Sequence, residues 1–291
     1  MLDLILQGGQ GNQMFEYATA LAVSEELGVK VRLDLSFFDA FGKKGWCRPF
    51  GLDIFRLDSD AVYTHRYSLP VRVLPRLNVK CRQRGIQHLG PCWFELDRME
   101  DIRGRKSILM YGYFNNVHVF DPHAEAIRRA FEFKTGPDEA NRAVMDRMAS
   151  CESVAVHIRR GDYLNAANSA FAKNGVDWYG RAMKEMEARV GNPRWFFFSD
   201  DMEWVKKTFG EIQNAEFVDL NRGKESYNDM RLMAACRHNI IANSTFSWWA
   251  AWLNRNPGKV VVSPHDYYAE PEDNRKKYLD RMIPEGWTVL E

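Results

Sequence analysis

The sequence has little that would cross-link a fold. Its five cysteines, Cys47, Cys81, Cys92, Cys151 and Cys236, are odd in number and widely spaced, and no C-x-x-C pair occurs among them. That pattern argues against a disulfide framework and against a zinc site, and it suits a reducing compartment. Long apolar runs are also missing: no segment approaches the ~18 residues of a membrane span. The opening MLDLILQGGQGNQ has no basic stretch ahead of its short apolar segment, so no secretory leader is expected. Nor is there an excess of charge of one sign. Forty basic against 39 acidic residues leave a formal charge of +1, which lacks the global field of a nonspecific nucleic-acid binder. The expectation is a soluble, cytoplasmic protein with no nucleic-acid partner, in which any anionic ligand is met by local groups.

What is present is regular. With 291 residues, 45% of them apolar, the chain can bury cores of ordinary domain size. Leu2 to Leu6 reads as a short buried strand, the stretch from Asn12 through Phe15, Ala18, Leu21 and Ala22 as a helix stopped at Gly28, and Val29, Val31 and Leu33 as the next strand. That is one βαβ unit. From about Gly42 to Lys106 the pattern is irregular, with Pro49, Pro70, Pro75 and Pro91. Asp121-Pro122 suits the start of a helix reaching about Phe133. Beyond the break at Gly136-Pro137, helices over 138–148, 177–190, 225–237 and 244–253, and one after Asp201, alternate with strands over 154–158, 195–198, 240–242 and 260–262. Such alternation predicts an α/β fold whose parallel sheets are covered on both faces and bind ligands beyond the carboxyl ends of their strands. The expected division is an N-terminal lobe over residues 1–140 and a C-terminal lobe over residues 141–291.

Unusual residues gather at four strand ends. At the first, Gly8-Gly9-Gln10-Gly11-Asn12-Gln13 lets main-chain N–H groups approach a diphosphate at a helix start. Met14 occupies the third glycine position of a dinucleotide fingerprint, and no Lys-Ser/Thr follows, so a plain strand-to-helix turn is an equal reading. At the second, the strand Val154 to Ile158 runs into Arg159-Arg160-Gly161-Asp162-Tyr163. Guanidinium groups hold their charge and grip phosphate in bidentate fashion. Period-two alternation puts His157 and Arg159 on one side and Arg160 on the other. Arg159 is the preferred phosphate ligand. Arg160 is divided equally between a ligand contact and a structural salt bridge with Asp162. The Arg160-Gly161-Asp162 triplet is read as a chance match to an adhesion signal.

At the third strand end, Asp200 and Asp201 follow Trp195 to Phe198 and could hold a divalent metal or cap the next helix, and the cap is favoured for at least one. Asp58-Ser59-Asp60 spells the same acidic pattern by chance in an irregular stretch. At the fourth, Asn243, Ser244 and Thr245 follow an apolar strand and suit phosphate or base edges, or ordinary capping. Trp248 and Trp252 lie one helical turn apart and read as core.

Together these segments resemble the bacterial α-1,2-fucosyltransferases, glycosyltransferase family 11. The resemblance is carried by GGQGNQMFEYA (Gly8 to Ala18), HIRRGDY (His157 to Tyr163), FSDDMEWVK (Phe198 to Lys206) and ACRHNIIANSTFSWWAAWLN (Ala235 to Asn254). HIRRGD is shared with a wider clan of fucosyltransferases, whereas NSTFSWWAAWL is more specific. Gln10 and Glu16 depart from the family's usual residues. The resemblance implies a GT-B fold of two Rossmann-like lobes with parallel sheets, the GDP-fucose donor held mainly by the C-terminal lobe and a galactose-terminated acceptor approached from the N-terminal lobe. It implies that Arg159 and Asn12 meet the diphosphate and that Asp229, Asn243, Ser244 and Thr245 line the nucleotide pocket, and with Gly9, Gly11, Arg160 and Asp200 from the strand ends these form the expected donor-binding set.

The family's chemistry is an inverting displacement in which GDP leaves. Arginine and helix-start N–H groups can stabilise that leaving group, so no metal or other cofactor is expected. Arg159 is then catalytic, and Asp162 and His157 are the candidate general bases. A GDP-sugar transferase with another acceptor or linkage, and a noncatalytic nucleotide- or glycan-binding protein, are the alternatives. Arg72, Arg76, Lys80, Arg82 and Arg84 form a run without acids that would suit peripheral contact with the inner membrane, though a solvated face is the plainer reading.

Overall fold

The structure, a computed structural model, describes all residues except 44–46, 58–61, 67–81, 84–85, 88–107, 162 and 164–168. Asp162, the Asp58-Ser59-Asp60 triplet and the basic run at Arg72, Arg76, Lys80 and Arg84 lie outside the described residues. The chain forms two compact units, Met1–Thr135 and Gly136–Glu291. The division therefore precedes the helix Glu139–Ala149, which a boundary at residue 140 would have cut. Among the described residues no helix is long and apolar enough to cross a membrane.

The first unit is built on a parallel sheet in the order β3-β2-β1-β6, from β1 (Leu2–Ile5), β2 (Val31–Asp34), β3 (Val62–Thr64) and β6 (Ile108–Tyr111). The two-residue strands β4 (Arg82–Gln83) and β5 (Ile86–Gln87) pair antiparallel. β1 is central and buried throughout, so an almost unbroken apolar run is what it requires. Helix α1 (Gln10–Leu27) returns the chain to β2 and buries twelve of its eighteen residues. It stops where the sequence places a glycine. Gly28 adopts φ 61°, a left-handed conformation that costs a glycine little, and the N–H groups of Gly28 and Val29 close on the carbonyls of Glu25 and Ser24. Helix α2 (Ser36–Phe41) follows β2. Ahead of Asp121 stands a short helix, α3 (Val117–Phe120), capped by Asn116, and the helix expected from Asp121 opens as a 3₁₀ turn at Asp121–His123 and continues as α4 (Ala124–Ala130).

The second unit holds six parallel strands in the order β12-β11-β10-β7-β8-β9. These are β7 (Ser153–Ile158), β8 (Arg194–Ser199), β9 (Ala215–Phe217), β10 (His238–Ile240), β11 (Val261–Pro264) and β12 (Thr288–Leu290). The longer helices among the described residues are α5 (Glu139–Ala149), α6 (Val176–Val190), α7 (Met202–Phe209), α8 (Tyr227–Ala235) and α9 (Thr245–Leu253). Val154, Val156, Ile158, Trp195 and Phe197 of the sheet meet Trp178, Tyr179, Met186, Val205 and Phe209 of α6 and α7 in one core. On α9, Trp248, Trp249 and Trp252 are buried, and Trp248 Nε1 donates to Met282 O at 2.6 Å. They are core residues, each contributing roughly 2–3 kcal/mol through burial. In each unit the first strand is central, later strands are added to one side, and the winding then reverses. That reversal lies between β1 and β6 in one unit and between β7 and β10 in the other. Crevices for ligands open at the carboxyl ends of such strand pairs.

Candidate active site

Strand register assembles the second unit's polar groups. His157 pairs with Phe198 and Ile158 with Ser199, so the next two residues on each chain bring Arg159 and Arg160 beside Asp200 and Asp201. Arg159 Nη1 lies 2.9 Å from Asp200 Oδ2, and Arg160 Nε lies 3.1 Å from Asp201 Oδ2. The main-chain N–H groups of Arg160 and Gly161 both donate to Asp200 Oδ1, at 2.9 and 3.1 Å. Burial alone would raise the Asp200 pKa. The Arg159 charge and the two N–H groups overcome it and hold the carboxyl below its ordinary range. Asp201 also caps α7, its Oδ1 accepting from Trp204 N at 3.3 Å, while the Arg160 guanidinium lies over the Trp204 ring at 4.4 Å. The two arginines thus divide as alternation requires, each with its own acid.

His157 is 5% exposed, its Nδ1 without a hydrogen-bond partner among the described residues and its carbonyl accepting from Tyr179 Oη at 3.1 Å. Burial, then the Arg159 charge, lower its pKa to about 4 against the opposing pull of Asp200. The ring is neutral at physiological pH.

Across the winding reversal, Ile240 pairs with Val156, so Asn243 arrives level with Arg159. Its side chain is 2% exposed and its Nδ2 donates to the carbonyls of Ala172 and Tyr267 at 2.7 and 3.2 Å. Tyr163 Oη donates to Asn243 O at 2.7 Å, and the Tyr163 ring stacks on Phe171 with centroids 5.1 Å apart. Ser244 caps α9 through Phe246 N. Thr245 is half-buried at the first position of α9. Strand β10 runs over His238–Ile240 rather than 240–242, since it is these residues that pair with Val154, Ala155 and Val156 of β7, and His238 and Asn239 are buried polar residues with partners of their own. His238 Nδ1 accepts from Val260 N, and Asn239 Nδ2 donates to Met233 O.

Asp229 sits in the first turn of α8. Asn221 Nδ2 donates to its Oδ1 at 2.8 Å and is itself tied to Asn141. Burial pushes the Asp229 carboxyl up to about 7, opposed by the Asn221 hydrogen bond and reinforced by the Asp219 charge. Nothing in the sequence pattern pointed to Asn221 or Asn141, whose partners come from separate elements.

In the first unit, Gly9 precedes α1 in an extended conformation, and Gly8 before it has φ 72°. A Cβ on Gly8 would stand 2.8 Å from Tyr113 Cε1 and 3.0 Å from Asn12 Nδ2, so only glycine fits this turn. Gln13 Nε2 donates to the carbonyls of Gly8 and Pro49. Gly11 is buried and Asn12 half-buried. Glu16 is fully buried behind the turn, accepting from Gln7 N at 3.0 Å, and burial holds its carboxyl well above the usual range despite that bond.

The sequence pattern of glycosyl transferase family 11 matches residues 97–291. The chain belongs to this family. It is 31% identical to the O-antigen biosynthesis glycosyltransferase WbnK of Escherichia coli, over 91% of this chain and 94% of that one. It is also 31% identical to the alpha-1,2-colitosyltransferase of Escherichia coli, over 98% and 97%. Human galactoside alpha-(1,2)-fucosyltransferase 1 is 25% identical over 84% of this chain and 63% of its own length. Among solved structures, POFUT1 in complex with GDP-fucose aligns with a TM-score of 0.51 at 10% identity, covering 90% of this chain and 97% of that one. At that identity the likeness is one of fold. The fold is GT-B, with two Rossmann-like units on parallel sheets, and the protein is a family 11 glycosyltransferase.

Proposed function

We propose that this family 11 enzyme transfers L-fucose from GDP-β-L-fucose to the 2-hydroxyl of a terminal β-galactoside, by an inverting displacement that needs no metal ion. The observation that carries this reading is the cradle at the end of β7, where the Arg159 guanidinium and the N–H groups of Arg160 and Gly161 converge beside a winding reversal. Charge that accumulates on a departing GDP is stabilised by such fixed donors without a cation. Relatives that carry α-1,2 linkage in their names, the colitosyltransferase and the human fucosyltransferase, support the linkage.

In this reading Arg159 is catalytic and meets the diphosphate. The side chain of Arg160 is engaged by Asp201 and Trp204, so it contributes its main-chain N–H and braces the loop. Gly9, Gly11 and Asn12 supply further N–H and amide groups for the donor. Thr245 offers a hydroxyl, Asp229 accepts from the base, and Asn243 and Ser244 shape the loop around them. His157, whose pKa burial lowers to about 4, and Asp162 are the two candidate general bases of this reading. The galactose-terminated acceptor and the donor are the only partners required. A second reading, transfer of colitose in the same linkage, is favoured by the 31% identity to a colitosyltransferase across 98% of the chain.

The test is the purified protein with lactose and GDP-fucose or GDP-colitose, with EDTA present, and linkage analysis of the product. The expected product is 2-fucosyllactose. Turnover that stops on chelation and returns with Mn²⁺ would restore a metal role to Asp200 and Asp201. Arg159→Ala is expected to lower kcat/KM by about 100-fold or more, and an unchanged rate would remove it from the mechanism.

A further inference from the structure

Three donors in the second unit meet a single carboxylate. The N–H groups of Arg160 and Gly161 point to Asp200 Oδ1, and Arg159 holds Oδ2. Consecutive main-chain N–H groups aimed at one point form a concavity for an anion oxygen, and an arginine at its rim completes a phosphate site. Here the anion in that concavity is the protein's own. Its approach is built into the sequence, because a Cβ on Gly161 would stand 2.8 Å from Asp200 Oδ2, and any larger residue would push the carboxylate away.

We propose that Asp200 is a counter-anion: it fills the donor's phosphate cradle in the resting protein and exchanges with a phosphate oxygen when the nucleotide binds. Asp200 can act in this way only if Arg159 is the diphosphate ligand, as proposed above. A carboxylate and a phosphate oxygen cannot both accept from the same N–H pair, and like charges at contact distance repel. Asp200 therefore weakens donor and GDP binding alike and speeds the release of GDP after transfer. A residue that merely braced Arg159 would have the opposite sign, since its loss would loosen the guanidinium and weaken nucleotide binding.

The sign is measurable. Asp200→Asn keeps an acceptor oxygen for the N–H pair while removing the charge, and Asp200→Ser is the smaller alternative, with folding of each checked by circular dichroism melting. Titration calorimetry of the full chain with GDP, and separately with inorganic pyrophosphate, is expected to show binding about fivefold tighter or more in the folded variants. The donor KM should fall with it, and kcat should drop as release becomes limiting. Unchanged or weaker GDP binding in both variants overturns the counter-anion role. Arg159→Ala separates the two ideas. If it binds GDP like the parent protein, the diphosphate assignment fails and the counter-anion role with it. If it loses GDP while the Asp200 variants gain nothing, the counter-anion role alone fails.

Discussion

Asp229 carries a carboxyl that is half-buried at the start of a helix, and its protonation is tied to folding. With a folded pKa raised to about 7 by burial, the native chain holds a proton that the unfolded chain has lost between about pH 4 and pH 7. Stability contributed by this group is therefore present at the acid end of that window and is lost as pH rises through it. Asp229→Asn removes the titration and keeps an acceptor for Asn221. The variant is expected to melt higher than the parent at about pH 8, by roughly 1–2 kcal/mol of stability, with the gap closing at about pH 5. Melting curves at the two pH values check this, and a constant gap would show that the carboxyl does not titrate in that window. The neutral state of His157 was not legible in the sequence. A histidine on a strand reads the same whether it faces water or core, and the burial that lowers its pKa emerges only in the folded sheet.

Among elements, the clearest device is the double clip in which two arginines after β7 meet two aspartates after β8. Asp201 serves it twice, as partner to Arg160 and as cap of α7. Asp201→Ala is expected to cost about 1–2 kcal/mol, mostly through the lost cap, and to lower the melting temperature by a few degrees. It should affect GDP affinity less than Arg159→Ala does, because the Arg160 guanidinium is turned to Trp204. Capping by Asp201 was readable from the sequence, as were β7, β8 and α9, whose apolar runs are long. Their pairing was not, since nothing in either segment states that Ile158 sits beside Ser199. The start of β10 escaped for a related reason: His238 and Asn239 are polar, and their burial is satisfied by Val260, Met233 and Asn254, groups distant in sequence. β9 and β12 are three-residue edge strands with mixed residues, too short for any periodicity to register. Glu16 drew notice in the sequence only as a departure from the family's usual residue, and its burial emerges only with α1 packed in place.

For the molecule as a whole, each unit carries its own sheet and its own buried cluster. The second contains all six strands that position Arg159, Asn243 and Asp229, and it lies wholly inside the family match. A fragment over residues 136–291 is therefore expected to fold alone, with a cooperative melt, and to bind GDP without transferring sugar. Calorimetry on the fragment checks this, and a fragment that folds without taking up GDP would show that the second unit's groups do not suffice for the nucleotide.

β7 is bonded on both sides, to β8 and β10, and every one of its residues is buried. Its amides open to solvent only when the whole sheet opens, and so should be among the last to exchange with deuterium, long after those of β9 and β12 at the edges. The arginines follow directly from that strand. Local fraying can thus strip the margins of the sheet while the groups proposed to hold the diphosphate stay where they are.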